Sequence, residues 1–174
     1  TLAALSATDP GFSEREAVTA QLWVPGSETP SDDELRSFQS ALLQRVRSLP
    51  GVTSAGSVLS LPVDSTVNMR SSYSIDGRVV ERTSLPTAGL QLASPDYFRT
   101  IGIPLLRGRD FADSDGPASP PVMIVSQAFA ERFFPGEDPI GKRVGTGHPE
   151  DDDFQWSTIV GVVGSTRHHG LRAE

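Results

Sequence analysis

Residues 136 to 143, Gly136-Glu-Asp-Pro-Ile-Gly141-Lys142-Arg143, stand one residue short of the phosphate-cradling pattern G-x-x-x-x-G-K-[ST]. A working loop of that kind follows a strand and opens a helix, so that backbone N–H groups, the lysine and a magnesium-binding hydroxyl converge on phosphate. Here the surroundings run the other way. A helical pattern ending at Phe133 and Phe134 comes before, a strand pattern comes after, and Arg143 replaces the hydroxyl residue. Glu137 and Asp138 would also face the phosphates. The stretch therefore reads as a helix-to-strand turn bent at Gly136 and Gly141.

Three further groups of residues carry candidate chemistry. Asp113, Asp115 and Gly116 in "DFADSDG" match part of a calcium loop, but aligning Gly116 with the loop glycine puts Phe111 and Val122 where calcium needs carboxylates. A solvated turn behind an Arg109-Asp110 pair is the expectation. Glu150-Asp-Asp-Asp153 with His148 nearby could take a hard cation, although adjacent acids in a loop more commonly form a mutually repelling, mobile, solvated tip. On residues alone, cation binding at Asp113 and Asp115 or at 150–153 stays open. His168 and His169 point apart on an extended chain, which makes them polar surface rather than a shared metal site.

The sequence holds no G-x-S-x-G elbow, no H-E-x-x-H and no cysteine, and Gly145-Thr-Gly147 lacks the later glycine of a dinucleotide fingerprint, Glu150 standing in its place. No residue is nominated as catalytic, cofactor-binding or metal-ligating, and no cofactor is expected. The balance of 15 Lys and Arg against 22 Asp and Glu gives a formal charge of −7, a field that repels nucleic acid and anionic lipid. With 174 residues the chain can form one ordinary domain or two small lobes. No apolar run approaches the roughly 20 residues that cross a bilayer. A start at Thr1 suggests a piece of a longer protein.

The elements that would position these residues follow from periodicity. Val18, Ala20, Leu22 and Val24 alternate with polar residues as a half-buried strand. Ser31-Asp-Asp-Glu34 is a capping box, and Leu35, Phe38, Leu42, Val46 and Leu49 recur at helical spacing until Pro50-Gly51. An extended run over 52–61 completes an expected right-handed βαβ unit. Asp76-Gly77 predicts a hairpin over Tyr73–Val80, and Ala88, Leu90 and Leu92 alternate as a strand. Ser94 and Pro95 open a short helix with Tyr97, Phe98 and Ile101 on its buried side and Gly102 at its end. A strand over 121–125, a helix capped by Ser126 with Phe129 and Phe133 inward, and strands at 142–146 and 156–164 follow. The mixture indicates an α+β or mixed-sheet fold.

Four blocks, in this order, resemble a known family. They are Ser94-Pro-Asp-Tyr97-Phe98-Arg-Thr-Ile-Gly102-Ile-Pro104-Leu-Leu-Arg-Gly108-Arg109-Asp110-Phe111, Val122-Met-Ile-Val125-Ser-Gln-Ala-Phe129-Ala, Phe133-Phe134-Pro-Gly136-Glu-Asp-Pro139-Ile-Gly141-Lys142 and Ile159-Val-Gly161-Val-Val163-Gly. The family is the MacB-like periplasmic core domain of ABC transporter permeases, related to FtsX-type permeases. The resemblance implies an α+β fold: a porter-like βαβ lobe, begun by residues 17–61, plus a small mixed α/β inserted lobe over 62–170. Residues 1–16 and 171–174 flank them, and a second porter βαβ is expected to be missing. It further implies a non-catalytic domain on the extracytoplasmic, periplasmic side of the bacterial membrane. Such a domain would couple a cytoplasmic ABC ATPase to a periplasmic adaptor, a second permease copy or substrate export, with no nucleic-acid partner. A different class remains open beside it: a periplasmic ligand- or lipid-binding sensory module with an interlobe cleft.

Overall fold

A computed structural model describes residues 11–12, 17–22, 30–62 and 69–166 of the chain. Helix α1 (Asp32–Arg47) starts where the capping box requires. The Glu34 N–H donates to Ser31 Oγ at 3.4 Å and the Ser31 N–H to Glu34 Oε2 at 2.8 Å, so two orphan donors are satisfied reciprocally. Three acids in its first turn and Arg45 and Arg47 in its last complement the helix dipole.

The remaining elements build a sheet around one strand. They are β1 (Arg70–Ile75), β2 (Thr87–Gly89), α2 (Tyr97–Thr100), β3 (Leu105–Gly108), β4 (Val122–Ser126), α3 (Gln127–Phe133), β5 (Arg143–Thr146) and β6 (Trp156–Val163). Among the described residues the antiparallel order is β2-β1-β5-β6-β3, and β4 joins β6 in parallel. One edge of β6 is shared between β5, opposite Trp156–Thr158, and β3, opposite Gly161–Val163. Its other edge carries β4 from Thr158 to Val163.

Packing explains why this arrangement holds. Val144 and Ile159, both wholly inaccessible to solvent, join Tyr73, Ile75, Val125, Phe133, Phe134 and Val162 in the main core. Ser126 caps α3 by accepting from the Phe129 N–H, which fixes Phe129 and Phe133 toward the sheet. The Phe129 ring meets Tyr73 edge-on with centroids 5.5 Å apart. A second cluster gathers Tyr97, Ile101, Ile103 and Val163 beneath α2.

Several expectations are corrected. Residues 17–22 form no strand and lie exposed, with Val18 at 97% of its full accessibility, while Trp23 and Val24 fall outside the described residues. Residues 52–61 run extended, with a single antiparallel bridge between Val58 and Ala93. Of the expected βαβ unit the described residues thus show the helix alone, because alternating residues become a strand only when a neighbour takes their backbone hydrogen bonds. The Asp76-Gly77 turn forms, with the Arg78 N–H donating to the Ile75 carbonyl at 3.0 Å. Its return at 78–80 does not, since Val79 points into solvent and β1 pairs instead with β2 and β5. Only Thr87–Gly89 of the next alternating run is a strand, and Leu92 faces outward.

The start of α2 differs as well. Ser94 does not cap it; its hydroxyl accepts from the Ser57 N–H at 2.8 Å, and Asp96 enters the helix at φ +66°. For a residue with a side chain, that left-handed conformation costs roughly 1–2 kcal/mol.

Truncating Ile159 to Ala should lower unfolding free energy by about 2–5 kcal/mol in urea denaturation. Phe38→Ser, on the open face of α1, should change it by less than about 0.5 kcal/mol. Equal losses at the two positions would contradict this placement of the core.

Candidate functional site

The near-phosphate stretch is a closed turn. Gly136 and Gly141 take φ of +75° and +82°, the left-handed values that its bends need. Its backbone donors are already engaged: Glu137 N–H to the Phe134 carbonyl, Gly141 N–H to Ile159 and Lys142 N–H to Pro139. Lys142 pairs with Glu137 at 2.9 Å, which holds the Glu137 carboxyl below its ordinary pKa, and Arg107 takes Asp138 at 2.5 Å. A phosphate would meet two carboxylates and no converging N–H groups. The turn serves instead to bring α3 back into β5.

In "DFADSDG" the expected Arg109-Asp110 pair is replaced by a longer one. Arg109 grips both carboxylate oxygens of Asp115 at 2.6 and 2.8 Å, and the Ala112 N–H adds a third hydrogen bond at 2.8 Å. From Asp110 it takes only the backbone carbonyl, at 3.0 Å. The Arg109 hydrogen bonds hold the Asp115 carboxyl below its usual range. Both Asp115 oxygens are therefore engaged before any cation arrives, and Asp113 lies exposed beside it.

The acidic loop is tied down at one point. Asp151 accepts from the His148 N–H at 2.6 Å and pairs with Arg82, and these two contacts lower its pKa. The His148 Nδ1 accepts from the Glu150 N–H at 3.3 Å. Thus Asp151 anchors a turn that had been expected to be a free, mobile tip. Among the described residues no three carboxylates or imidazoles gather as a metal site. His168 and His169 lie outside those residues.

Two features could meet another molecule. A cavity of about 280 Å³ is lined by Pro95, Phe111, Asp115, Pro120, Pro121 and Val122 among others. It lies just under the 300–1,000 Å³ common for ligand pockets, and its carboxylate already belongs to Arg109. The larger feature is α1. It carries an apolar stripe yet has no fully buried residue, and on its first half Leu35 and Phe38 are 38% and 53% exposed. An amphipathic helix in water ordinarily has such a face covered. One side chain that ties α1 down was not legible from spacing: Arg47 in its last turn reaches Asp96 at 3.1 Å across 49 positions of sequence.

What these residues build is an α+β domain whose acids close turns and whose longest described helix leaves part of its apolar face open. The chain belongs to the MacB-like periplasmic core domain family, whose model matches residues 3–171. It is accordingly the extracytoplasmic domain of a MacB-like ABC transporter permease. Its fold resembles the periplasmic region of MacB from Actinobacillus actinomycetemcomitans, with a TM-score of 0.52 and 16% identity over 80% of this chain and 62% of that one. It is also similar to a domain of a putative permease from Porphyromonas gingivalis, at 19% identity over 74% of this chain and 45% of that one, TM-score 0.47. The extracellular domain of the noncanonic ABC-type transporter YknZ from Gram-positive bacteria matches at 22% over 78% and 64%, TM-score 0.46. This chain therefore spans less than two thirds of each of these structures. No curated protein sequence matches it.

The Arg109–Asp115 clamp sets a pH dependence. Asp115 has a folded pKa below its unfolded value, so its stabilisation is complete above the ordinary carboxylate pKa of about 4 and disappears as pH falls through the folded value. Asp115→Asn should lower the thermal midpoint at neutral pH, with the difference from the parent shrinking progressively below about pH 4. A difference independent of pH, measured by circular dichroism melts, would rule out the clamp as its source.

Proposed function

We propose that this domain is non-catalytic and works by protein contact. It links ATP hydrolysis by a cytoplasmic ABC ATPase to a partner outside the membrane, an adaptor or second permease copy, or to substrate export. The single observation that carries the reading is the first half of the apolar stripe on α1, where Leu35 and Phe38 stand 38% and 53% exposed, in a chain of this family. In the same reading, residues 17–61 belong to a porter-like lobe that further chain of the permease completes, and residues 62–170 form the inserted small lobe. Extended segments 17–22 and 52–61 would then gain the strand neighbours that they lack.

The paired turns support a mechanical rather than a chemical role. Every acid cluster singled out by spacing contains at least one carboxylate neutralised by Arg or Lys, and the near-phosphate turn offers no anion site. The sensory alternative has less in its favour, since the cavity lies within the sheet lobe and its carboxylate is already paired.

The test uses the complete permease with its ATPase in proteoliposomes. Leu35→Asp together with Phe38→Asp should leave basal ATP hydrolysis intact and reduce partner- or substrate-stimulated hydrolysis by about tenfold, the equivalent of roughly 1.4 kcal/mol of lost coupling. Full stimulation by the double variant would refute the contact role of α1. A reading frame without membrane helices flanking this domain would refute the permease role.

A further inference from the structure

We propose that Arg47 and Asp96 form a releasable latch that sets the orientation of α1 on the sheet lobe and passes its displacement to the core under α2. The first ground is how little else holds α1. None of its residues is fully buried and only Leu42, Leu43 and Val46 are partly covered, so packing holds it weakly, and its hydrogen bonds to the lobe are few. The Arg47 Nε and Nη2 donate to the Ala55 carbonyl at 3.2 and 2.9 Å, Nη2 also pairs with Asp96, and Gln39 donates to the Ser57 hydroxyl.

The second ground is where those contacts lead. Ala55 to Ser57 is stitched to the start of α2, by the Ser57 N–H to Ser94 Oγ at 2.8 Å and the Ser94 N–H to the Ser57 carbonyl at 2.9 Å. Between them Gly56 lies so close to α2 that a Cβ there would fall 2.5 Å from the Tyr97 Cα. Tyr97 is in turn a buried member of the cluster with Ile101, Ile103 and Val163.

The third ground is the conformation of Asp96 itself. It is the non-glycine residue at positive φ among the described residues, and it holds that strained geometry between two guanidiniums, Arg47 at 3.1 Å and Arg99 at 3.0 Å. Strain of this kind persists where surroundings over-determine it and relaxes when a partner leaves. The Arg47–Asp96 pair is about one-third exposed on each side, so water and salt compete for it and it can open without unfolding the lobe. A latch with these properties is rigid at rest and yields under load.

The chain has no cysteine, so Ser40→Cys on α1 and Glu131→Cys on α3 give a clean spin-labelled pair for distance measurement in the full 174-residue chain. At low salt the parent should show one narrow distance distribution. Arg47→Ala should broaden it about twofold or more, and 1 M salt, where screening acts within roughly 3 Å, should broaden the parent similarly and leave the variant unchanged. Asp96→Asn, which keeps a side chain tolerant of the left-handed conformation, should broaden it too, and amide exchange should rise at 94–101 but not in β4 and β6. The proposal is overturned if either variant keeps the parent's narrow distribution, or if exchange rises equally throughout the sheet. The outcome does not depend on transport, so failure of the latch leaves the contact role of α1 standing.

Discussion

Everything in the sheet lobe depends on both edges of β6 being occupied. Its first half holds β5, its second half β3, and its far side β4, so one eight-residue strand joins segments that begin at residues 105, 122 and 143. A buried strand must have its backbone donors and acceptors paired, and this one satisfies the requirement by recruiting three partners. Ile159 and Val162 can then enter the main core from one strand while Val163 closes the smaller cluster under α2. The two cores are thereby fastened to a common backbone.

Around that strand, charge is used to shape turns. Lys142 closes on Glu137, Arg109 on Asp115, Arg82 on Asp151 and Arg143 on Asp76. In each pair the basic side chain is about half exposed, so the free-energy contribution is modest. Their value lies in geometry, because each shortens a loop and aims the next element. A chain with the acidic composition of a cation binder is thus a chain whose acids hold its loops. Resemblance to nucleotide and calcium motifs arises because glycines, acids and a lysine are also what a tight turn requires.

Elements with a strong local signal were legible in the sequence. The capping box at Ser31, the cap at Ser126, the left-handed glycines 102, 136 and 141, and the apolar strands at 122–126 and 156–163 all lie where residue type and spacing put them. What was not legible depended on partners distant in sequence. Alternation at 18–24 cannot announce that residues 17–22 have no strand beside them. Ser94 has the side chain of a cap, but Ser57 claims it from 37 positions away. Likewise nothing at Arg109 distinguishes Asp110 from Asp115, since the choice follows from how the loop folds back. The family resemblance rested on the blocks between 94 and 164, where local signals are dense, and it extends over residues 3–171.

The place of β6 in the chain has a consequence for how the domain comes into being. Among the described residues it is the last strand in sequence, yet it lies inside the sheet, with β1, β2, β3, β4 and β5 all ahead of it. A polypeptide threaded outward across a membrane from its N-terminus would deliver β3 and β4 with no strand between them to bind. The unpaired backbone edges of both strands and the Val125 side chain of β4 must wait in water until residues 156–163 emerge. Joining β3 and β4 to the strands already paired around β1 is therefore a late step, and the interval before it is when the nascent chain is most exposed to proteases and to self-association.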